Sequence, residues 1–67
     1  MNIYWRKMNT NKTTYISVQP STAWKIVRAG NGWNVMHAIR DGDEYTVVNF
    51  SNTLKQGKKF AEDWFPA

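Results

Sequence analysis

Cysteine is absent from the 67-residue sequence, so the chain can form neither a disulfide nor a thiolate metal site. Secreted domains of this size usually depend on such links, because a chain this short buries only about 60% of its unfolded surface. The absence of cysteine therefore favours a reducing, cytoplasmic location. Ten aromatic residues (four Trp, three Tyr and three Phe) compensate in part, since each buried ring removes roughly 150–250 Å² from water.

Long apolar runs are also missing. No segment approaches the roughly 20 consecutive apolar residues of a membrane span, and the first residues lack the apolar core of a signal peptide. We therefore expect no membrane association.

Residues suited to catalysis are scarce. His37 is the only histidine, and strand alternation places it on the core side, where a buried, hydrogen-bonded histidine is expected rather than a general base. The acids of residues 41–44 lie in one turn and are too few and too closely spaced for a calcium loop. Gly30 and Gly32 join two strands, so they do not form a phosphate-binding loop that opens a helix. We predict a protein that is not an enzyme and that holds no metal or cofactor.

The pattern of residues 13–67 predicts a single α+β domain in which strands precede one helix. Alternating apolar residues indicate strands at 24–28, 33–40 and 45–50, separated by the glycine turns "AGNG" and "DGD". The β-branched segment 13–18 is a candidate extra strand. The prediction is thus an antiparallel meander sheet of three strands, or of four if this segment joins it.

The two ends of the chain differ in pattern. Residues 1–12 are polar and without a period, which predicts a flexible amino-terminal arm. After the candidate N-caps of residues 51–53, an apolar stripe at steps of three and four residues predicts a carboxy-terminal amphipathic helix that Pro66 ends. Gly57 lies in this stripe and costs the helix about 1 kcal/mol relative to alanine, which indicates a close approach to the sheet. The stripe consists of Leu54, Gly57, Phe60, Ala61, Trp64 and Phe65.

Alternation along the strands also assigns the side chains to two faces of the sheet. One face should pack against the helix, and its expected members are Trp24, Ile26, Trp33, Val35, His37, Ile39, Val48 and Phe50. One helix covers one face only, so the other face should remain open. Its expected members are Lys25, Val27, Asn34, Met36, Ala38, Arg40, Tyr45, Val47 and Asn49.

Charge is unevenly distributed along the chain. The formal net charge is +4. The first acid is Asp41, and it is preceded by Arg6, Lys7, Lys12, Lys25 and Arg28. A positive field over this half attracts phosphate backbones or acidic proteins, although a net charge of this size also serves solubility alone.

The predicted helix begins with Lys55, Lys58 and Lys59 and ends with Glu62 and Asp63, an order that opposes the helix dipole. A basic first turn with unpaired N–H groups is suited to a phosphate contact, and a merely solvated face is the alternative.

Three segments, "GNGWNVMHAIR", "DGDEYTVVNF" and "SNTLKQGKKFAEDW", resemble the layout of small sheet-plus-helix domains. The resemblance is to plant AP2-type domains and to the arm-binding amino-terminal domains of tyrosine recombinases, and it covers residues 24–64. It implies that the open sheet face docks in the DNA major groove. The contacts that it implies are Lys25, Arg28, Asn34, Met36, Arg40 and Tyr45.

Two classes of function follow from these features. The first is a small non-enzymatic accessory or regulatory protein, encoded by a phage or mobile element. It would bind double-stranded DNA through the open face and contact the DNA backbone with Lys55, Lys58 and Lys59. The alternative is a small protein-binding module or inhibitor, as a monomer or a homodimer. It would use the open face together with the aromatic residues of the arm, Ile3, Tyr4 and Trp5.

Overall fold

The computed structural model describes residues 3–8, 13–19, 21–40 and 44–64. Within these residues the chain forms five strands followed by one helix. The elements are β1 (Tyr4–Lys7), β2 (Thr14–Gln19), β3 (Trp24–Ala29), β4 (Gly32–His37), β5 (Thr46–Ser51) and α1 (Leu54–Asp63). No helix in this part of the chain is long and apolar enough to cross a membrane.

Each strand pairs antiparallel with the next one in sequence, so the sheet is a meander in the order β1-β2-β3-β4-β5. The α+β class, the antiparallel meander and the carboxy-terminal helix are confirmed. The predicted number of three or four strands is wrong, because the sheet has five strands.

The additional strand, β1, lies inside the segment that was predicted to be a flexible arm. Arg6 pairs with Ile16 and Lys7 with Tyr15 of β2. Ile3 is only 8% exposed and belongs to the core, and Trp5 packs against the same core. Burial of two alternating side chains stabilises a strand of four residues, and such a strand is too short to show a clear period in the sequence.

The helix packs on one face of the sheet, across β3, β4 and β5. A Cβ atom at Gly57 would lie 3.2 Å from Cγ2 of Val35 and 3.5 Å from Cδ1 of Ile26. Both of these side chains are fully buried. These short distances confirm the close approach expected at Gly57. A larger side chain there would push the helix away from β3 and β4.

The start of α1 also agrees with the sequence. Thr53 is the N-cap, and its Oγ1 accepts a hydrogen bond from the backbone N–H of Gln56 at 3.1 Å. The helix ends at Asp63. Phe65, predicted as the last residue of the apolar stripe, and Pro66, predicted to end the helix, lie outside the described residues.

Aromatic rings fill the space between the helix and the start of β3. The ring centroid of Trp24 lies 4.4 Å from the ring centroid of His37, 6.4 Å from that of Phe60 and 5.8 Å from that of Trp64. His37 therefore faces the helix, as alternation predicted, although it is half-buried rather than buried. Its role in this cluster is packing.

An irregularity in β5 corrects two of the predicted face assignments. Asn49 pairs with Val35, whereas Val47 pairs with Met36, so Val48 is an extra residue in the ladder. Asn49 therefore faces the helix side, and Phe50 lies on the open face with 54% of its surface exposed. Extrapolating a period of two through this bulge made the prediction for both residues wrong.

The end of β4 corrects the predicted position of Ile39. The strand stops at His37 instead of Arg40. Ala38 is buried, and its N–H donates to the carbonyl oxygen of Ala23 at 2.9 Å, while Ile39 is 91% exposed. Ile39 is therefore not in the core. Ala38 continues the register with β3 but is buried, and Arg40 lies beyond the last residue of the strand.

A buried serine links β2 and β3, and no pattern in the sequence predicted it. Ser17 is fully buried, and its Oγ accepts a hydrogen bond from the N–H of Trp24 at 3.0 Å. The same hydroxyl donates to the carbonyl oxygen of Ser21 at 2.8 Å. The side chain thus satisfies backbone groups where the regular ladder between the two strands has ended.

We predict that Ser17→Ala lowers the free energy of unfolding by about 1–3 kcal/mol, because it leaves the buried N–H of Trp24 without a partner. Urea unfolding followed by tryptophan fluorescence measures this change. Gln19→Ala, at an exposed position of the same strand, is the matched control and should stay within about 0.5 kcal/mol of the wild type. Equal losses in the two variants would contradict the role assigned to the hydroxyl.

Candidate functional site

The side of the sheet opposite α1, which we call the open face, carries two rows of side chains that run across the strands. Within the described residues no other element covers it, since the helix packs on the opposite side. The first row takes one residue from each strand, namely Arg6, Ile16, Lys25, Met36 and Val47. The second row consists of Thr14, Val27, Asn34 and Phe50.

The middle of the open face is largely apolar. Ile16, Val27 and Met36 are half-buried, and Val47 and Phe50 are 49% and 54% exposed. Contiguous apolar side chains on a sheet face normally meet a second layer, and where the layer is missing they mark an interaction surface. The open face is therefore the main candidate for a binding site.

The charges on the sheet are all of one sign. The five strands contain Arg6, Lys7, Lys25 and Arg28 but neither aspartate nor glutamate. Arg6 and Lys25 belong to the first row of the open face, two strands apart, which corresponds to about 10 Å. Such a face attracts an anionic partner, because no carboxylate of the sheet opposes its field.

Lys25 is held in place by an aromatic neighbour. Its Nζ lies 4.4 Å from the ring centroid of Tyr45, and the hydroxyl of Tyr45 donates to the carbonyl oxygen of Thr22. The tyrosine thus connects the segment before β5 to the segment before β3. This contact places Tyr45 beside the open face, where it was predicted, and orients the ammonium group above its ring.

Phe50 lies against the backbone of β4 at Gly32. A Cβ atom at Gly32 would approach the carbonyl oxygen of Ser51 to 2.6 Å and the ring of Phe50 more closely still. Only glycine leaves room for this ring position. The bulge in β5 and the glycine in β4 together hold an aromatic ring on the open face.

Four of the predicted DNA contacts are brought together by the fold: Lys25, Asn34, Met36 and Tyr45 lie on or beside the open face. Arg28 lies on the other side, with its guanidinium carbon 5.4 Å from the ring centroid of Trp33 and its Nε donating to the carbonyl oxygen of Gly30 at 3.3 Å. Arg40 follows the end of β4 and is exposed.

The predicted helix contacts form a separate group. Lys58 Nζ lies 5.1 Å from the ring centroid of Tyr15, and Lys59 Nζ lies 3.2 Å from Oδ2 of Asp63. Together with Lys55, Leu54 and Glu62 they line a shallow depression of about 450 Å³ on the helix. Because α1 packs opposite the open face, one ligand lying flat on that face does not reach these lysines.

The residues of the alternative protein-binding site are also divided. Ile3 and Trp5 pack inward on their own domain, whereas Tyr4 is 59% exposed and, by alternation with them, points to the side of the open face. The sequence did not identify Arg6, Ile16 or Phe50 as site residues. Arg6 lies on a strand too short to show a period, and Ile16 lies on β2, which the sequence pattern left as a candidate extra strand. The bulge in β5 concealed Phe50.

No family model matches the chain, and comparisons with curated proteins and with solved structures find no match either. The resemblance to AP2-type and recombinase arm-binding domains thus stays a prediction, as do the DNA contacts that it implies. Among the described residues, no group of three or more histidine, aspartate or glutamate side chains is placed to hold a metal ion.

We predict that Gly32→Ala destabilises the protein by about 1–3 kcal/mol, since the new methyl group must displace the ring of Phe50 and a strand carbonyl. Urea unfolding of this variant, of Phe50→Ala and of the double variant forms a double-mutant cycle. If the ring is the main obstacle, the double variant loses less stability than the sum of the single variants. Strict additivity would show that the strand carbonyl, and not the ring, is the main obstacle.

Proposed function

We propose that this protein is a non-enzymatic DNA-binding accessory or regulatory protein that binds through the open face. The observation that carries the proposal is a sheet without carboxylates whose uncovered face combines basic, amide and apolar side chains. Nucleic acid is the ligand whose chemistry matches all three kinds of side chain, because it offers phosphates, hydrogen-bonding base edges and apolar base surfaces.

The basic residues supply the attraction. Arg6 and Lys25 lie on one row and neutralise phosphates, which releases counterions and makes the affinity depend on salt. Asn34 lies on the neighbouring row and carries an amide that can donate to and accept from a base edge. This role agrees with the cytoplasmic location and the phage or mobile-element origin expected from the sequence.

A second copy of the chain is the competing occupant of this surface. The observation that favours it is β5, an edge strand of six residues without a charged side chain, next to the apolar residues of the open face. Uncharged edges of this kind pair readily with other strands. Light scattering distinguishes the two: the DNA-binding proposal expects a monomer that acquires mass on adding DNA, whereas a stable dimer disrupted by Val47→Lys would support a homodimeric protein-binding module.

We expect salt-dependent binding to a DNA hairpin that carries a single-stranded tail, a probe that offers both forms of DNA. If Arg6 and Lys25 each neutralise one phosphate, raising the salt from about 50 to 200 mM lowers the affinity by about 10-fold. Fluorescence anisotropy of the labelled hairpin measures the effect. Absence of binding at the lower salt concentration would refute the proposal.

Matched charge variants test whether the DNA binds to the open face or to the helix. Arg6→Gln and Lys25→Gln remove one positive charge each from the open face, and Lys55→Gln removes the same charge from the helix on the opposite side. Each open-face variant should reduce the slope of log affinity against log salt by about 0.7–0.9. An equal or larger effect of Lys55→Gln would assign binding to the helix instead.

A further inference from the structure

The width of the sheet bears on which form of DNA it can bind. Adjacent strands lie about 4.8 Å apart, so the axes of β1 and β5 are separated by roughly 19 Å. The major groove of duplex DNA is about 12 Å wide and admits a helix or a two-stranded ribbon. Asn34 and Met36 lie on the fourth strand, between neighbours on both sides. The flanking strands would meet the sugar-phosphate backbones before these side chains reached the groove floor.

The apolar character of the open face leads to the same conclusion. Phe50 and Val47 are half exposed, and the ring of Phe50 has its position fixed by Gly32. A duplex keeps the flat faces of its bases stacked inside and presents mainly charged backbone to a broad protein surface. Single strands expose these base faces, and aromatic side chains on a sheet stack with them.

The two rows of the open face divide the chemistry in a way that suits a single strand. The basic residues Arg6 and Lys25 are both on the first row, and the ring of Phe50 and the amide of Asn34 are both on the second. The rows are two residues apart along β2, β3 and β4, which is about 7 Å. Along β5 the bulge separates Val47 and Phe50 by three residues. A nucleic-acid strand that crosses the sheet can therefore place its phosphates along one row and its bases along the other.

We infer that the open face binds single-stranded DNA, with phosphates along the row of Arg6 and Lys25 and a base stacked on Phe50. This inference rests on the proposed DNA-binding function, and it replaces the duplex expected from the resemblance with a separated strand. Met36 and Val27 then supply apolar surface between the basic residues Arg6 and Lys25 and the ring of Phe50.

The test compares two labelled DNA ligands of one sequence at the same salt concentration. One is a single strand of about 12 nucleotides, a length within the range that sheet-based single-strand binders cover. The other is the same strand annealed to its complement as a blunt duplex. We expect the single strand to bind at least about 10-fold more tightly, a difference of about 1.4 kcal/mol.

The binding results distinguish failure of this inference from failure of the proposed DNA-binding function. A duplex that binds as tightly as the single strand, or more tightly, would overturn this inference and leave the DNA-binding function intact. Failure of the single strand, the duplex and the tailed hairpin to bind at low salt would overturn both.

Substitution of the ring tests the assigned base position. Phe50→Ala should weaken single-strand binding by about 5- to 150-fold, the range found when stacking rings are removed, with little effect on the salt slope. Ile39→Ala removes an exposed apolar side chain outside the open face and is the matched control, expected to bind like the wild type. Phe50→Leu keeps an apolar cover over Gly32 and tests the ring in a folded chain if the alanine variant unfolds. Wild-type affinity in both Phe50 variants would overturn the stacking assignment.

Discussion

The contact between Gly57 and the two central strands is the constraint on which the rest of the structure depends. Without a side chain at this position, the helix approaches Val35 and Ile26 closely enough to bury both completely. The same approach brings Phe60 and Trp64 against Trp24 and closes the aromatic cluster. A short chain obtains a dense core in this way, but on one side of the sheet only.

The open face is a direct consequence of that arrangement. A helix of ten residues covers β3, β4 and β5 on one side, and the described residues provide no second layer for the other side. Apolar side chains such as Ile16 and Val27 therefore remain partly accessible beside Arg6 and Lys25, and the five described strands carry no carboxylate. This combination is unfavourable for an isolated surface and favourable for an anionic ligand with apolar parts.

The site was only partly accessible to sequence reasoning. Lys25, Asn34 and Met36 were placed correctly because they lie on regular stretches of β3 and β4, where alternation holds. Phe50 was misplaced because the bulge at Val48 shifts the alternation by one residue. The helix lysines were combined with the sheet residues in one interface, although the sheet separates the two groups. This separation already followed from the predicted faces, because the open face is the one opposite the helix.

The sequence by itself determined the features that depend on neighbouring residues. These are the order of strands and helix, the glycine turn at Gly30 with its positive φ of 58°, the N-cap at Thr53 and the apolar stripe of α1. The tertiary structure alone decided the features that depend on partners distant in sequence. They include the recruitment of β1 by burial of Ile3 and Trp5, the early end of β4, and the bulge in β5. Each of these results from packing and hydrogen bonding between elements that local propensity cannot anticipate.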